Sequence, residues 1–252
     1  MIETKTRTHT TRLFAEHTSF WDMFKIVVYF RYRGDISEVP WWYCKRKAHS
    51  CVIDLTKSLD EILSGMKSNT RNEIRRAERE GCTFKVADNY DEFIQMYNSF
   101  CRSKNLNDFT DESRMKKYDH LLITKAERNG KTLAMHSTIL DVDGGRSMLQ
   151  FSCSPRLEDG IDAKVIGWAN RFLHFKDLEW LKENGFSSYD WSGICVDPEN
   201  PAYSIGKFKL SFGGSGVYED WILLSPLYVA AEKTREFVRR FMRLIKIIGR
   251  RK

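Results

Sequence analysis

The stretch from residue 122 to residue 192 constrains the fold most. Leu122–Ala126 reads as an extended segment, Asn129-Gly130 as a hairpin turn, and Thr132–Asp141 as the returning strand. Gly144-Gly145 turns the chain again into a third strand, Arg146–Cys153. A long helix follows, about Asp162 to Asn184, with Gly185 as its stop, and Ser187–Ser192 is extended again. A meander feeding a strand–helix–strand unit calls for a mixed sheet with helices packed on it.

The flanking segments extend that layout. Ser50–Leu55 is strand-like, Ser58-Leu59-Asp60-Glu61 is a capping box, and Ser68-Asn69 caps a helix that runs from Thr70 to Glu80 and ends at Gly81. A strand is expected at Thr83–Ala87. Helices are expected near Asp91–Arg102 and, after a Thr110 cap, at Asp111–Leu121. A short helix near Tyr203–Ser211 and a strand at Val217–Leu224 complete a mixed α/β layout. Residues 12–34 and Pro40-Trp41-Trp42-Tyr43 are dense in aromatics, which suits a core, with a ligand platform as the alternative.

Charge narrows the function. The net +7 comes from 41 basic and 34 acidic residues. Residues 228–252 hold nine Lys/Arg against two Glu, so the rest of the chain is neutral, with 32 of each sign. A uniformly basic nucleic-acid surface is disfavoured, and a local anionic partner is favoured. The tail reads as a basic amphipathic helix with Phe237, Phe241, Leu244 and Ile248 on one face. Three readings stay open for it: an anionic membrane surface, docking on the protein itself, or an RNA backbone. The six cysteines form no C-x-x-C pair and no zinc spacing, so buried thiols in a reducing compartment and no metal are expected. The longest apolar run, Ile26–Phe30, is far short of a membrane span, and the polar N-terminus does not read as a signal peptide.

Two sets of motifs carry a family resemblance. Lys164-Val165-Ile166-Gly167-Trp168-Ala169, at the head of the long helix, resembles the Q/R-x-x-G-x-G/A pyrophosphate loop of the GNAT acyltransferases, with Lys164 in place of Gln or Arg. The second set spans residues 50–225. Arg71 to Gly81 is similar to the R-x-x-I-R-K-A-x-K-x-G helix of the FemAB/FemX family. Tyr189-Asp190-Trp191-Ser192-Gly193 resembles its Y-D-F-G-G strand end, and Phe208 to Gly214 its F-K-x-x-F-G-G segment. The resemblance implies a GNAT-like fold and a transferase of acyl or aminoacyl groups. Full members have two GNAT-like halves. This chain is short for that, so residues 1–80 are read as a reduced first half, 81–227 as the GNAT-like unit, and 228–252 as the basic helix.

Candidate site residues follow from both lines. The Ala169 to Asp177 segment puts Asn170, His174 and Asp177 at i, i+4 and i+7 on one helix face, where a carboxylate can tune an imidazole. His136 lies on a central strand, and Asp190 at a strand end of the kind that faces a ligand crevice. The resemblance assigns Lys209 to the donor end of the cleft and lets Gly213 admit close backbone approach. It assigns Lys164, Gly167, Ala169, Asn170 and Arg171 to the donor cofactor. Arg71 and Arg75 form a candidate phosphate-facing surface, the alternative being a solvated face.

The expected activity is N-acyl transfer to an amine of an aminosugar or cell-envelope (polysaccharide) precursor. Acyl-CoA is the preferred donor and aminoacyl-tRNA the alternative. The chain is expected in the cytoplasm, with residues 228–252 a candidate for peripheral contact with the inner membrane face. A non-catalytic membrane- or RNA-binding adaptor is the competing class.

Overall fold

The structure, a computed structural model, describes residues 1–155, 162–214 and 216–249, with the backbone alone over 240–249. The elements run β1 (Ile2–Lys5), β2 (Thr10–Leu13), a 3-10 helix (Phe20–Phe24), β3 (Val27–Tyr32), β4 (Cys44–Asp54), α1 (Leu59–Gly65), α2 (Ser68–Arg79), β5 (Thr83–Val86), α3 (Asp91–Ser103) and α4 (Glu112–Met115). They continue with β6 (Leu121–Arg128), β7 (Lys131–Asp141), β8 (Arg146–Cys153), α5 (Ala163–Glu183), β9 (Ser188–Gly193), α6 (Tyr203–Leu210), β10 (Tyr218–Leu224) and α7 (Pro226–Gly249). The mixed α/β class is as the sequence predicts.

The chain forms two compact units, Met1–Ala48 with Glu219 onward, and His49–Tyr218. The sequence reading put boundaries near 80/81 and 227/228 instead. Packing explains the difference. Ala77 of α2 shares a cluster with Trp168, Ala169 and Phe172 of α5, and Ile62 and Met66 share one with Leu178 and Trp191. Residues 49–80 therefore belong with the larger unit.

In the larger unit the strand order is β4-β9-β8-β7-β6-β5, antiparallel except for β8 and β9. Local chemistry sets the turns. Asn129 and Gly130 both take positive φ (52° and 73°), as a two-residue hairpin requires. The Ser58–Glu61 capping box forms, and Gly185 ends α5 with φ 83°. The expected Asp111–Leu121 helix is cut to one turn, because Leu121 is drawn into β6 opposite Ile139; its cap is Asp111, not Thr110. Alternation along β7 sends Ala134 and His136 toward α5, while Met135 packs with Phe93 of α3 on the other face.

One topological feature places the site. The parallel pair β8/β9 is in register only from Arg146↔Ser188 to Met148↔Asp190. Beyond that, β8 stays with β7 as far as Cys153, while β9 stays with β4 as far as Gly193. The two strands part toward their C-terminal ends, where open α/β sheets hold ligands.

The smaller unit orders its strands β1-β2-β3-β10, with only β2 and β3 parallel. β1 and β2 are short and polar, which hid them from sequence reading. The aromatic-rich segments divide: Tyr29, Tyr32 and Tyr43 form the core with Val27 and Leu223, whereas Phe20, Trp21, Phe24 and Trp41 are exposed. A buried ion pair, Arg31 to Asp220 at 2.8 Å, ties β3 to β10.

Candidate active site

A cavity of about 450 Å³ opens where β8 and β9 part. Leu149, Ser152 and Cys153 of β8 and Trp191 of β9 form two sides. Asn170 and His174 of α5 form the third; Ile205, Phe208 and Lys209 of α6 close another, and Phe100 and Leu106 line the rim at the end of α3. The lining is mainly apolar with a few polar atoms, the usual make-up of a small-molecule site.

Behind the wall runs a buried polar relay. Thr124 Oγ1 on β6 donates to Asp177 Oδ1 at 2.6 Å, and Asp177 Oδ2 holds His136 Nδ1 at 2.6 Å. His136 Nε2 meets Asn170 Oδ1 at 3.1 Å, and Ser152 Oγ reaches the same oxygen at 3.5 Å. The relay therefore ends at cavity-lining Asn170 and Ser152. The helical stripe forms as predicted, with Asn170, His174 and Asp177 all buried. The imidazole that Asp177 engages is His136 on the strand, not His174 on its own helix.

His174 is held differently. Its ring stacks on His136 at 3.8 Å with 26° between the planes, and it touches Trp191 at 4.3 Å and Phe212 at 5.5 Å. Its Nδ1 is buried with no hydrogen-bond partner among the described residues. Burial first, then the neighbouring His136, Lys209 and Arg171, push its pKa well below the usual imidazole range. His174 is thus held as the neutral imidazole in the cavity wall. The ligand atoms of His136, His174 and Asp177 lie within 4.8 Å of one another. His136 and Asp177 are closed on each other by a hydrogen bond, and His174 joins them only by stacking on the His136 ring.

That burial has a cost in acid. The unfolded chain protonates His174 near 6.5, whereas the folded chain does not until much lower pH. Unfolding then takes up a proton, so stability falls as pH drops below 6.5, by about tenfold in the folding equilibrium per pH unit from this one group. Denaturant unfolding from pH 7.5 to 5 reads the slope, and His174→Gln should flatten it; an unchanged slope would show that another group carries it.

The other sequence-predicted residues take several places. Lys209 lines the cavity, and its Nζ donates to Gly193 O at 2.8 Å. Asp190 is buried outside the lining, and its Oδ1 accepts from Ser192 N at 2.7 Å. That bond holds the strand end where Ser192 has φ 64°, a strained conformation next to Trp191. Burial and the Asp190 carboxylate push the adjacent Cys51 thiol up to about 11, against the opposing effect of Lys209. Gly213 (φ 80°) and Gly214 (φ 90°) serve packing: a Cβ would sit 2.8 Å from Gly65 O at the first and 2.7 Å from Val52 O at the second.

On α5, Ala169 is core, and Lys164 and Gly167 are outside the lining. Asp162 caps the helix, its carboxylate accepting from Lys164 N at 2.8 Å. Residues 156–161, which lead into this helix, lie outside the described residues. Arg171 pairs with Glu73 at 2.8 Å and lies over the Phe208 ring. Arg71 bonds the carbonyls of Ser64 and Met66 at the end of α1, while Arg75 is exposed. Sequence reading missed Thr124, Ser152 and the α3 rim. Trp191 and Phe208 stood inside the quoted motifs, but as fold markers rather than cavity walls.

No protein-family model and no curated protein matches the chain. Solved structures do. The C-terminal domain of a protein named as a lysylphosphatidylglycerol synthetase of Agrobacterium fabrum aligns with TM-score 0.57 at 13% identity, over 80% of this chain and 68% of that one. FemX aligns with TM-score 0.60 at 12% identity, over 78% of this chain and 65% of FemX. L-PGS from Bacillus licheniformis aligns with TM-score 0.55 at 13% identity, over 89% and 80%. At these identities the likeness is one of fold: the chain has a mixed α/β fold similar to that of FemX.

Proposed function

We propose that the chain is a transferase that moves an acyl or aminoacyl group to an amine, with the chemistry in the cavity between β8 and β9. The observation that carries this reading is His174: a neutral, buried imidazole in the wall of a cavity at the parting of two parallel strands. An amine attacking an activated carbonyl must lose a proton as the C–N bond forms and the bond to the donor's leaving group breaks. His174 accepts that proton and returns it to the departing thiolate or ribose oxygen. His136, fixed by Asp177, supports the ring by stacking. Lys209 stands in the same wall, where a cation stabilises charge on the carbonyl oxygen. The expected acceptor is the amine of an aminosugar or envelope precursor, bound against the apolar lining.

Asp162 bears on the donor. A carboxylate already caps the helix start where the pyrophosphate of acyl-CoA would seek free amides. That favours aminoacyl-tRNA over acyl-CoA, reversing the sequence-based preference. The name of the Agrobacterium protein, a lysylphosphatidylglycerol synthetase, is in keeping with an aminoacyl group as the cargo.

Thermal unfolding with acetyl-CoA, free CoA, lysyl-tRNA and deacylated tRNA tests the reading. A ligand at about 100 times its dissociation constant adds about 2.7 kcal/mol, a visible shift. A shift with the tRNA species alone supports the aminoacyl donor. A shift with the CoA species alone overturns that choice, and no shift with any of them moves the adaptor class ahead.

A further inference from the structure

We infer that the smaller unit carries a docking surface for an anionic lipid bilayer, built from an exposed ring cluster and the basic helix α7. The inference stands apart from the transferase reading. Phe20, Trp21, Phe24 and Trp41 are 55%, 68%, 59% and 89% exposed. They form one cluster: Phe20 lies within 6.0 Å of Trp21, Phe24 and Trp42, and Trp42 lies 5.9 Å from Trp41. A contiguous apolar patch of large rings is uncommon on a protein surface.

The structure shows why the rings face out. Asp22, in the middle of the 3-10 helix, is fully buried; it accepts from the Tyr29 hydroxyl at 2.6 Å and pairs with Arg12. A helix with three residues per turn that turns Asp22 inward turns its flanking residues outward. The polar residue is the anchor and the aromatics are the display, the reverse of ordinary patterning.

Helix α7 packs against this same 3-10 helix and β3. Residues 233–239 of α7 are all exposed, with Arg235 and Arg239 on one side of the helix and Lys233 on another, and the sequence from 228 to 252 has nine cations to two acids. One of those acids, Glu232, is already bonded to Arg46 at 3.1 Å. Trp and Phe at headgroup depth with flanking Lys and Arg match the chemistry of an anionic leaflet. An RNA fits less well. The rings meet edge to face, with interplanar angles of 75° to 89° for the Phe20 contacts and 79° for Trp41–Trp42, and they do not form parallel platforms for bases.

The test is co-sedimentation of the full chain with vesicles of phosphatidylcholine alone and of phosphatidylcholine mixed with phosphatidylglycerol. Binding is expected only to the anionic vesicles and should weaken with salt. Trp21→Ala/Trp41→Ala should lower the partition coefficient by about tenfold or more, as two rings' apolar area returns to water. Both side chains are exposed, so the melting temperature should hold, and so should transfer to a soluble acceptor. That separates failure of this surface from failure of the transferase reading. Absent binding to anionic vesicles, or equal binding by the double variant, overturns the inference. So does a tRNA complex or a dimer that the same substitutions disrupt while vesicles stay unbound.

Discussion

His174→Gln should lower kcat for transfer from the donor to an aminosugar probe such as glucosamine by about 10²–10⁴-fold, the usual contribution of a positioned general base. The donor-induced thermal shift should survive, because the substitution removes a proton acceptor rather than a binding group. Gln keeps polarity and length but cannot take up a proton at neutral pH. The wild-type pH profile adds a control. Burial and the nearby cations depress the His174 pKa, so kcat/KM should show no step from this group near 6.5. A variant within a few-fold of wild type, folded and donor-binding, would remove His174 from the mechanism.

Asp177→Ala should cost on the order of 3–5 kcal/mol of stability, the range for breaking one partner out of a buried polar pair. Three buried groups explain the size. Asp177 accepts from Thr124 Oγ1 and holds His136 Nδ1, both at 2.6 Å, and none of the three sees solvent. Removing the carboxylate leaves a hydroxyl and an imidazole N–H without an acceptor and opens a void under α5. Asp177→Asn keeps the volume and one acceptor oxygen, so it should lose less. Urea unfolding at pH 7.5 measures both. A loss below about 0.5 kcal/mol in the Ala variant, the level of an ordinary surface change, would show that the relay is not structural.

Legibility in the sequence followed the range of the interactions. The Asn129-Gly130 turn, the Ser58 capping box and the Gly185 stop are set by neighbours a few residues away, and each forms where expected. The Asn170/His174/Asp177 stripe follows from helical periodicity and also forms. The partner of Asp177 did not follow, because His136 reaches it only through the β6–β7 register and the docking of α5. Thr124 carried no signal for the same reason. Lys209 was placed through a family motif, and the cavity wall is where it stands. Asp190 and Gly213 came from similar motifs, but their geometry is that of a turn anchor and a close backbone contact. The N-terminal strands were missed because four-residue polar segments such as Ile2–Lys5 owe their pairing to neighbours, not to local pattern.

The most direct measurement is a single turnover of labelled lysyl-tRNA with the aminosugar, product mass read by mass spectrometry, for wild type and His174→Gln side by side. The account predicts an amide product that appears with wild type, disappears on ribonuclease treatment of the donor, and forms orders of magnitude more slowly with the variant. An amide formed equally fast by both proteins would contradict the placement of the chemistry at His174.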